Sequence, residues 1–417
     1  MKKLKLGIFG MKRGGDNFES ILSNNVEIVA VCDKNLDFCK RATGVFENCV
    51  AYDNFDDFIE HKMDAVYIAN YFTEHAKYAI RALEKNIHVI SECTAAETMA
   101  DCVALIRAAE KSKALYMLGE NYPYMPFNME MQRVYQGGSL GKILFGEGEY
   151  NHPSGPDEKW AVSFYHDSEK HWRYYLPATY YLTHSLGPLM MATHSLPKRV
   201  TAMPVFSPED DRYATASHVG DTAAIITCLN DDDSVFRITG CAGFGAHENS
   251  YRLACEKGQI ENVRGLEGKI MLRYNNWDKP KNKKADNFYY PKEKKKDAEI
   301  SKRAGHAGGD YYMFKDFFSC IRTGRRPYLD VYVATTMTVV GIMAHKSLLQ
   351  FGVPYDIPDL RDEKVRKQYE NDTDTPFWSS DGKAPTIPCC SRPDFLPSEK
   401  NLELYEMYKD PDWEEHI

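Results

Sequence analysis

Short apolar runs alternate with amphipathic stretches over residues 1–122. The stretches Glu74–Lys85 and Ala96–Lys113 carry apolar residues three and four positions apart, which predicts two helices, the second with Thr98 as its N-cap. The apolar runs are typical of strands that are covered on both faces. They are Lys5–Phe9, Val26–Cys32, Met63–Ala69 and Ile87–Ser91. This alternation predicts βαβ units around a parallel sheet.

A different pattern begins after Pro123, where strand-like segments alternate polar and apolar residues with period two. These are Lys142–Tyr150, Arg199–Val205, Thr222–Leu229, Val235–Cys241 and Tyr251–Glu256. Tyr311–Thr323 and Val331–Phe351 have helical patterns, and the lysine-rich stretch Lys279–Lys296 is interpreted as a solvated surface excursion.

The predicted fold class is therefore α/β. An N-terminal domain of βαβ units spans residues 1–122. An α+β domain on a mostly antiparallel sheet spans residues 123–360. Residues 361–417 are rich in proline and charge, and we expect them to form a C-terminal extension that wraps the surface.

Composition narrows the range of partners. The 417 residues carry a net charge of -8, which disfavours nucleic acid and acidic membranes, and no apolar run is long enough to span a bilayer. A small, neutral, hydroxylated substrate is compatible with this net charge. The eleven cysteines are scattered without a CxxC pair, which indicates reduced thiols in a cytoplasm. The histidines show no HExxH spacing, so no metal site is predicted.

A glycine-rich turn follows the first predicted strand and has the sequence Gly10-Met11-Lys12-Arg13-Gly14-Gly15. A dinucleotide fingerprint has glycines at the positions of Gly10 and Gly15, but Lys12 occupies the middle glycine position. Asp33 ends the second predicted strand, where an acid binds ribose hydroxyls and repels a 2′-phosphate. We interpret this as an NAD site, against the alternative of a plain turn with Asp33 capping the next helix.

The segment Tyr67–Glu92 resembles the Gfo/Idh/MocA oxidoreductases, with a strand, a cofactor-adjacent loop containing a histidine, a helix, a strand and a glutamate. Leu140–Tyr150, Lys257-Gly258 and Arg325–Asp330 match further parts of that family. The resemblance implies a Rossmann domain followed by an open-sheet domain, a sugar or glycoside substrate and a homo-oligomer, dimer or tetramer. It also implies that Asn70 and His75 lie beside the cofactor with Gly10, Lys12, Arg13, Gly15 and Asp33, His75 in a mainly structural role.

Most members of that family carry Glu-Lys-Pro after the fourth strand, whereas this chain has Glu92-Cys93-Thr94. The NAD-dependent glycosidases of the α-N-acetylgalactosaminidase type also lack that lysine, and four further segments are similar to theirs. These are Glu120-Asn121 before Tyr124, Trp172-Arg173, Tyr181-Leu182-Thr183-His184 and Gly305–Tyr311 with His306. Ser185 and Ala307 depart from the pattern of that branch.

This second resemblance implies a redox glycosidase that retains its NAD. In such an enzyme the cofactor takes a hydride from a ring carbon of the sugar, and C3 is the expected position. Elimination of the leaving group, addition of water and return of the hydride follow. His184 would take the hydroxyl proton, Tyr181 would be the C2 base, and Tyr124 would assist them. Glu92 and Asn121 would hold the nicotinamide end, while Trp172, Arg173 and His306 would contact the substrate. Simple packing is the alternative for Tyr181, and a buried inert thiol is the interpretation for Cys93.

Two other functions stay open. A conventional NAD-dependent sugar or inositol dehydrogenase would use His184 alone, and the missing lysine counts against it. The protein could also be a non-catalytic NAD-binding or sugar-binding protein that kept the fold. This would explain why Lys12 stands at a glycine position of the fingerprint and Cys93 at the position of the usual lysine. The joint presence of His184, Tyr181, Tyr124 and Glu92 argues for an enzyme.

Overall fold

A computed structural model of the chain describes residues 3–153, 170–206 and 220–394, together with Glu399 and Glu403. Its N-terminal half contains six strands and six helices. The strands are β1 (Leu4–Phe9), β2 (Val26–Cys32), β3 (Val50–Tyr52), β4 (Ala65–Ile68), β5 (His88–Ser91) and β6 (Tyr116–Leu118). The helices are α1 (Met11–Gly15), α2 (Phe18–Leu22), α3 (Leu36–Thr43), α4 (Phe55–Phe58), α5 (His75–Glu84) and α6 (Met99–Lys111).

The six strands form one parallel sheet in the order β3-β2-β1-β4-β5-β6. This is the strand order of a doubly wound dinucleotide-binding domain, whose ligands bind where the order reverses between β1 and β4. Every residue of β4 is buried, as its continuous apolar run predicts. Thr98 caps α6 in a reciprocal capping box with Asp101, so the predicted helix start is confirmed.

The C-terminal half is built on a second sheet of nine strands. They are β7 (Ile143–Asn151), β8 (Pro197–Val205), β9 (Ala223–Asn230), β10 (Val235–Ala242), β11 (Glu248–Cys255), β12 (Gly258–Asn262), β13 (Ile270–Tyr274), β14 (Asp286–Tyr289) and β15 (Tyr355–Asp356). Their order is β14-β13-β12-β11-β7-β10-β9-β8-β15. Neighbours are antiparallel except β7 and β10, so the mostly antiparallel sheet is confirmed.

Helices α7 (Pro126–Gln136), α8 (Thr183–Thr193), α9 (Lys295–Ser301), α10 (Gly309–Thr323), α11 (Val331–Leu348) and α12 (Glu363–Tyr369) complete the described elements. Helix α11 packs on β8 and on α6, so it contacts both halves of the chain. Among the described helices, none has both the length and the apolar character needed to cross a bilayer.

Charged pairs line the face of the second sheet that points away from α8. Glu147 and Glu149 of β7 pair with Arg237 and Arg252 on neighbouring strands and with Arg264 in the turn after β12. Because these side chains are partly exposed, each pair stabilises the fold by only about 0–1 kcal/mol. The sheet is therefore open on this side within the described residues.

Two predicted surface segments are more structured than their composition suggests. The lysine-rich stretch 279–296 contains β14, which pairs with β13 at the edge of the sheet. In the C-terminal extension, Phe377 is fully buried and its ring meets those of Phe72 and Tyr180. The extension thus enters the core instead of only wrapping it. Its remainder after residue 394 lies outside the described residues, apart from Glu399 and Glu403.

Candidate active site

The glycine turn after β1 lies against the loop that follows β4. Gly10 has a φ of 94°, and a Cβ there would lie 2.4 Å from the Ala69 carbonyl carbon, so the position requires glycine. A Cβ on Gly14 would lie 2.5 Å from Ile8 Cγ2. On Gly15 the nearest contact would be an ordinary 3.9 Å. Gly14 is therefore the glycine that allows α1 to pack closely on β1.

Asp33 lies at the carboxyl end of β2 and faces this turn. Its carboxylate accepts hydrogen bonds from the backbone N–H of Met11 at 2.8 Å and of Asn35 at 3.0 Å. The cap of α3 is Asn35, whose side chain accepts from Asp37 N–H. Asn35, and not Asp33, is thus the cap of that helix, and the Asp33 carboxylate is directed to the glycine turn.

Lys12 and Arg13 point in opposite directions. The exposed Lys12 side chain lies over Phe38, with Nζ 5.6 Å from the ring centroid. Arg13 turns inward, where Nε contacts Glu92 Oε1 and Nη2 contacts Asp310 Oδ1, both at 3.0 Å. Arg13 therefore joins the cofactor turn to the C-terminal half of the chain, a role that its place in the turn did not predict.

The loop after β4 presents an amide without a partner. His75 bridges two loop carbonyls, with Nδ1 2.9 Å from Thr94 O and Nε2 3.1 Å from Asn70 O. Burial lowers the pKa of His75, and the neutral ring donates to one of these two carbonyls at a time, which still braces the loop. Both side-chain polar atoms of Asn70 are buried and make no hydrogen bond with the described residues. An orphaned amide beside the glycine turn fits a bound nucleotide.

His184, at the start of α8, forms a buried pair with Glu120, which follows β6. Nδ1 of His184 lies 2.8 and 2.9 Å from the two carboxylate oxygens, and Glu120 is completely buried. Burial opposes ionisation of Glu120, but the charge and hydrogen bond of His184 hold its pKa below the usual value. In the neutral form of the ring, Nδ1 carries the proton because a carboxylate only accepts, and Nε2 then has the lone pair of a base.

Three tyrosine rings surround the imidazole. Tyr122 stacks on His184 with centroids 4.0 Å apart, while Tyr150 and Tyr181 meet it edge-on at 4.9 and 5.0 Å. Burial raises the pKa of Tyr181 to about 12, against the opposing charge of Arg173. Tyr181 therefore lies next to His184 as predicted, but its hydroxyl is protonated at neutral pH.

Tyr124 does not reach this cluster. Its ring is buried and its hydroxyl donates to Asp316 Oδ2 of α10 at 2.9 Å. The single turn of 3-10 helix over Tyr122–Tyr124 turns the two tyrosines to different neighbours. The catalytic role predicted for Tyr124 is corrected accordingly: Tyr122 contacts His184, and Tyr124 anchors α10.

Asp310 lies near the cofactor turn and accepts hydrogen bonds from three residues that the sequence predicted for the site. It is 2% exposed and accepts from Arg13, from Asn121 Nδ2 at 2.7 Å and from His306 Nδ1 at 3.0 Å. Burial opposes its ionisation, but His306 and Arg13 lower its pKa far below the ordinary value. His306 also lies 5.8 Å from the Tyr122 ring, so it reaches the edge of the tyrosine cluster.

Trp172 and Arg173 lie between the tyrosine cluster and the core. The Trp172 ring packs edge-on against Phe72 at 4.9 Å, just after the Asn70 loop. The Arg173 guanidinium lies 4.5 Å from the Trp172 ring centroid, and its charge acts on Tyr181. Trp172 is thus mainly a packing residue, whereas Arg173 is placed to influence the site.

Four residues at this site were missed as functional groups: Glu120, Tyr122, Tyr150 and Asp310. Glu120 was visible as half of the Glu-Asn pair, and Asp310 as the acid after the Gly305–Gly309 stretch, but neither motif states a role. The sequence contains no signal that distinguishes Tyr122 from Tyr124. Tyr150 ends a predicted strand, and its closeness to His184 depends on the pairing of distant segments.

Two family models match the chain. "Oxidoreductase family, NAD-binding Rossmann fold" matches residues 4–120, and "Glycosyl hydrolase 109, C-terminal domain" matches residues 231–367. Glycosyl hydrolase family 109 protein 1 of Shewanella sp. strain ANA-3 is 26% identical over 415 residues, covering 86% of this chain and 85% of that protein. An α-N-acetylgalactosaminidase of Shewanella oneidensis is 24% identical over 408 residues with the same coverage.

Solved structures share the fold. A levoglucosan dehydrogenase in complex with NADH and levoglucosan superposes with a TM-score of 0.72 at 15% identity, over 86% of this chain and 100% of that chain. An aldose-aldose oxidoreductase from Caulobacter crescentus gives a TM-score of 0.68 at 17% identity, over 85% and 100%.

Proposed function

This chain belongs to the NAD-binding Gfo/Idh/MocA oxidoreductases with a glycosyl hydrolase 109 C-terminal domain, and from that premise we propose that it is a redox glycosidase. It acts on a sugar as an NAD-dependent enzyme and uses its retained cofactor to cleave a glycosidic bond. The observation that carries this proposal is the buried Glu120–His184 pair at the place where α8 meets the cofactor domain.

The residues around the glycine turn fit NAD. Gly10 allows close approach of the backbone, Asp33 lies at the ribose position, and Asn70 offers an unsatisfied amide. Glu92 and Asn121 belong to the network next to Arg13, on the side toward the nicotinamide. When bound, NAD supplies a reversible hydride acceptor that turns one ring carbon, C3 in this proposal, into a ketone.

His184 handles the proton of the hydroxyl that is oxidised. Glu120 fixes the tautomer in which Nε2 lacks a proton, so Nε2 accepts the hydroxyl proton as the hydride departs. The negative charge of Glu120 also stabilises the imidazolium that forms. The hydroxyl of Tyr251 donates to His184 O at 2.7 Å and holds the backbone of α8 in place.

Tyr181 is the candidate base for the proton on C2. The ketone acidifies that proton, the leaving group departs from C1, and water then adds to C1. Burial raises the pKa of Tyr181, whereas the positive charge of Arg173 lowers it and, together with the acidity that the ketone gives to the C2 proton, favours transfer of that proton to Tyr181. His306 and Arg173 flank the substrate side.

A solvent-exchange experiment tests the reaction class. Turnover of an aryl glycoside in D2O should place one deuterium at C2 of the released sugar, because the C2 proton is lost and regained from solvent. A product without deuterium at C2 would contradict the oxidation-elimination route. The variant His184→Ala is the matched control, and it should show neither turnover nor exchange.

We also propose a cytoplasmic homo-oligomer, either a dimer or a tetramer. All eleven cysteines are free thiols, which supports a reducing compartment. The open face of the second sheet, with partly exposed Glu147, Glu149 and Arg237, supports association through that face. Light scattering on the purified chain measures its mass in solution, and a monomer at micromolar concentration would refute the oligomer.

A further inference from the structure

Cys93, Glu120 and His184 come from three different elements and meet beside the proposed reaction centre. Their ligand-type atoms, one from each residue, all lie within 4.8 Å of one another. Cys93 Sγ is 3.0 Å from Glu120 Oε2, and His184 Nδ1 is 2.8 Å from Oε1. Glu120 and His184 are buried and Cys93 is half-buried, so the three groups face each other away from bulk water.

A thiolate, a carboxylate and an imidazole are the donors that zinc accepts, and three protein ligands leave a fourth position open. Donors that share a zinc ion lie about 3.3–3.8 Å apart, given metal–ligand distances of about 2.0–2.3 Å. The donor atoms of Cys93, Glu120 and His184 are separated by distances from 2.8 Å up to at most 4.8 Å, which include this range. Small side-chain movements therefore suffice to bring all three atoms to zinc-binding distance. Thiol ligands also favour zinc over magnesium or calcium.

Thr183 adds a polar group to this cluster. Its side chain is fully buried, and its hydroxyl lies within reach of both Cys93 and Glu120. The three ligand-type groups therefore share a buried polar pocket with a hydroxyl oxygen.

We propose that Cys93, Glu120 and His184 form an inhibitory zinc site at the reaction centre. Zinc displaces the thiol proton of Cys93, which leaves to solvent. The imidazole proton of His184 moves from Nδ1 to Nε2, since zinc takes the Nδ1 lone pair. Two anionic ligands then balance the 2+ charge of zinc, and the buried cluster becomes neutral.

Zinc at this site switches off the base described above, and this consequence rests on the proposed function. With a proton on Nε2 and zinc on Nδ1, His184 cannot accept the hydroxyl proton of the sugar. The lysine that most Gfo/Idh/MocA members have in place of Cys93 would repel the ion and offers no thiolate. The substitution at Cys93 is therefore what makes the site possible in this chain.

Zinc binding is measured first, without reference to activity. The purified, NAD-loaded chain is stripped with a chelator and titrated with zinc chloride against a chromophoric zinc indicator. We expect one zinc per chain in the wild type, with affinity at least about 100-fold weaker in Cys93→Ser and in Cys93→Val. Cys255→Ser, another half-buried thiol, is the matched control and should bind like the wild type. Cobalt in place of zinc should give a thiolate charge-transfer absorption that Cys93→Ser lacks.

Inhibition is measured second, relative to the metal-free rate of each variant. One equivalent of zinc should reduce wild-type turnover at least tenfold, and a chelator should restore it. Equal zinc affinity in wild type and Cys93→Ser, or no binding at all, would overturn the site. Zinc bound through Cys93 without loss of turnover would overturn the inhibitory role. A chain that has no glycosidase activity still answers the binding question, so failure of the two proposals can be told apart.

Discussion

Replacing Glu120 by glutamine tests the role of the buried pair most sharply. The carboxylate accepts from His184 Nδ1, from Tyr122 N–H at 3.1 Å and from Cys93 Sγ. If the glutamine oxygen faces His184, the NH2 group, which is a donor, lies against the Cys93 thiol, which is also a donor. A glutamine that turns its NH2 to His184 forces the ring proton onto Nε2, and the base is lost.

Either arrangement lowers kcat, and the size of the decrease follows from the contribution of a general base. A general base contributes about 10²- to 10⁴-fold to a rate. Loss of the correct tautomer and of the charge that stabilises the imidazolium removes at least the lower part of that range. We therefore expect kcat to fall about 100-fold or more, equivalent to about 2.7 kcal/mol of transition-state stabilisation. KM should change little, because Glu120 is buried and does not face the substrate.

The assay is steady-state hydrolysis of an aryl glycoside, with NAD content measured in each preparation. Glu120→Asp should recover part of the lost rate, because it keeps the charge. Glu97→Gln is the matched control: that half-buried glutamate accepts a hydrogen bond from Thr375, and the variant should retain kcat within about twofold. A kcat within threefold of wild type in Glu120→Gln, at normal NAD content, would refute the assigned role.

Three further substitutions probe other parts of the account. Tyr181→Phe should still allow substrate to reduce bound NAD, read as nicotinamide absorbance, but should lose deuterium exchange at C2; retained exchange would exclude Tyr181 as the base. Gly10→Ala should abolish NAD retention, since its Cβ would lie 2.4 Å from backbone and a positive φ costs about 1–2 kcal/mol, and full NAD content would count against this turn as the cofactor site. Phe377→Ala should lower the free energy of unfolding by about 3–5 kcal/mol in denaturant titrations, whereas a loss below 1 kcal/mol would contradict its buried position.

The cofactor domain was predictable because its signals are local. Continuous apolar runs marked β1, β2, β4 and β5, and the acid after β2 marked the ribose position. These features depend on neighbours in the chain and on the burial of both sheet faces. Spacing alone does not show which glycine faces Ile8, and only the structure identifies it as Gly14.

The site depended on contacts that the sequence does not encode locally. Tyr122 and Tyr124 are two residues apart, and only their orientation in a 3-10 turn decides which one meets His184. The Glu120–His184 pair joins residues 64 positions apart. Phe377 lies in a proline-rich, charged segment, and it is buried by contacts with the rings of Phe72 and Tyr180, which are distant in the sequence.

The edge strand β14 was missed for a related reason. Its segment is rich in lysine, which we interpreted as solvated surface, but edge strands commonly carry charges because one side stays unpaired. Asp286 of β14 forms an ion pair with Arg273 of β13, so these charges stabilise the pairing of the edge strand.

The central claim is that the cofactor is retained and regenerated within each turnover. Freshly purified protein should be denatured and its supernatant analysed by mass spectrometry for NAD(H), and the native protein should be assayed on aryl glycosides with no added cofactor. The account predicts close to one NAD per chain and hydrolysis that external NAD does not accelerate. Protein that releases no NAD, and that acts only on free sugars when NAD is supplied, would contradict it.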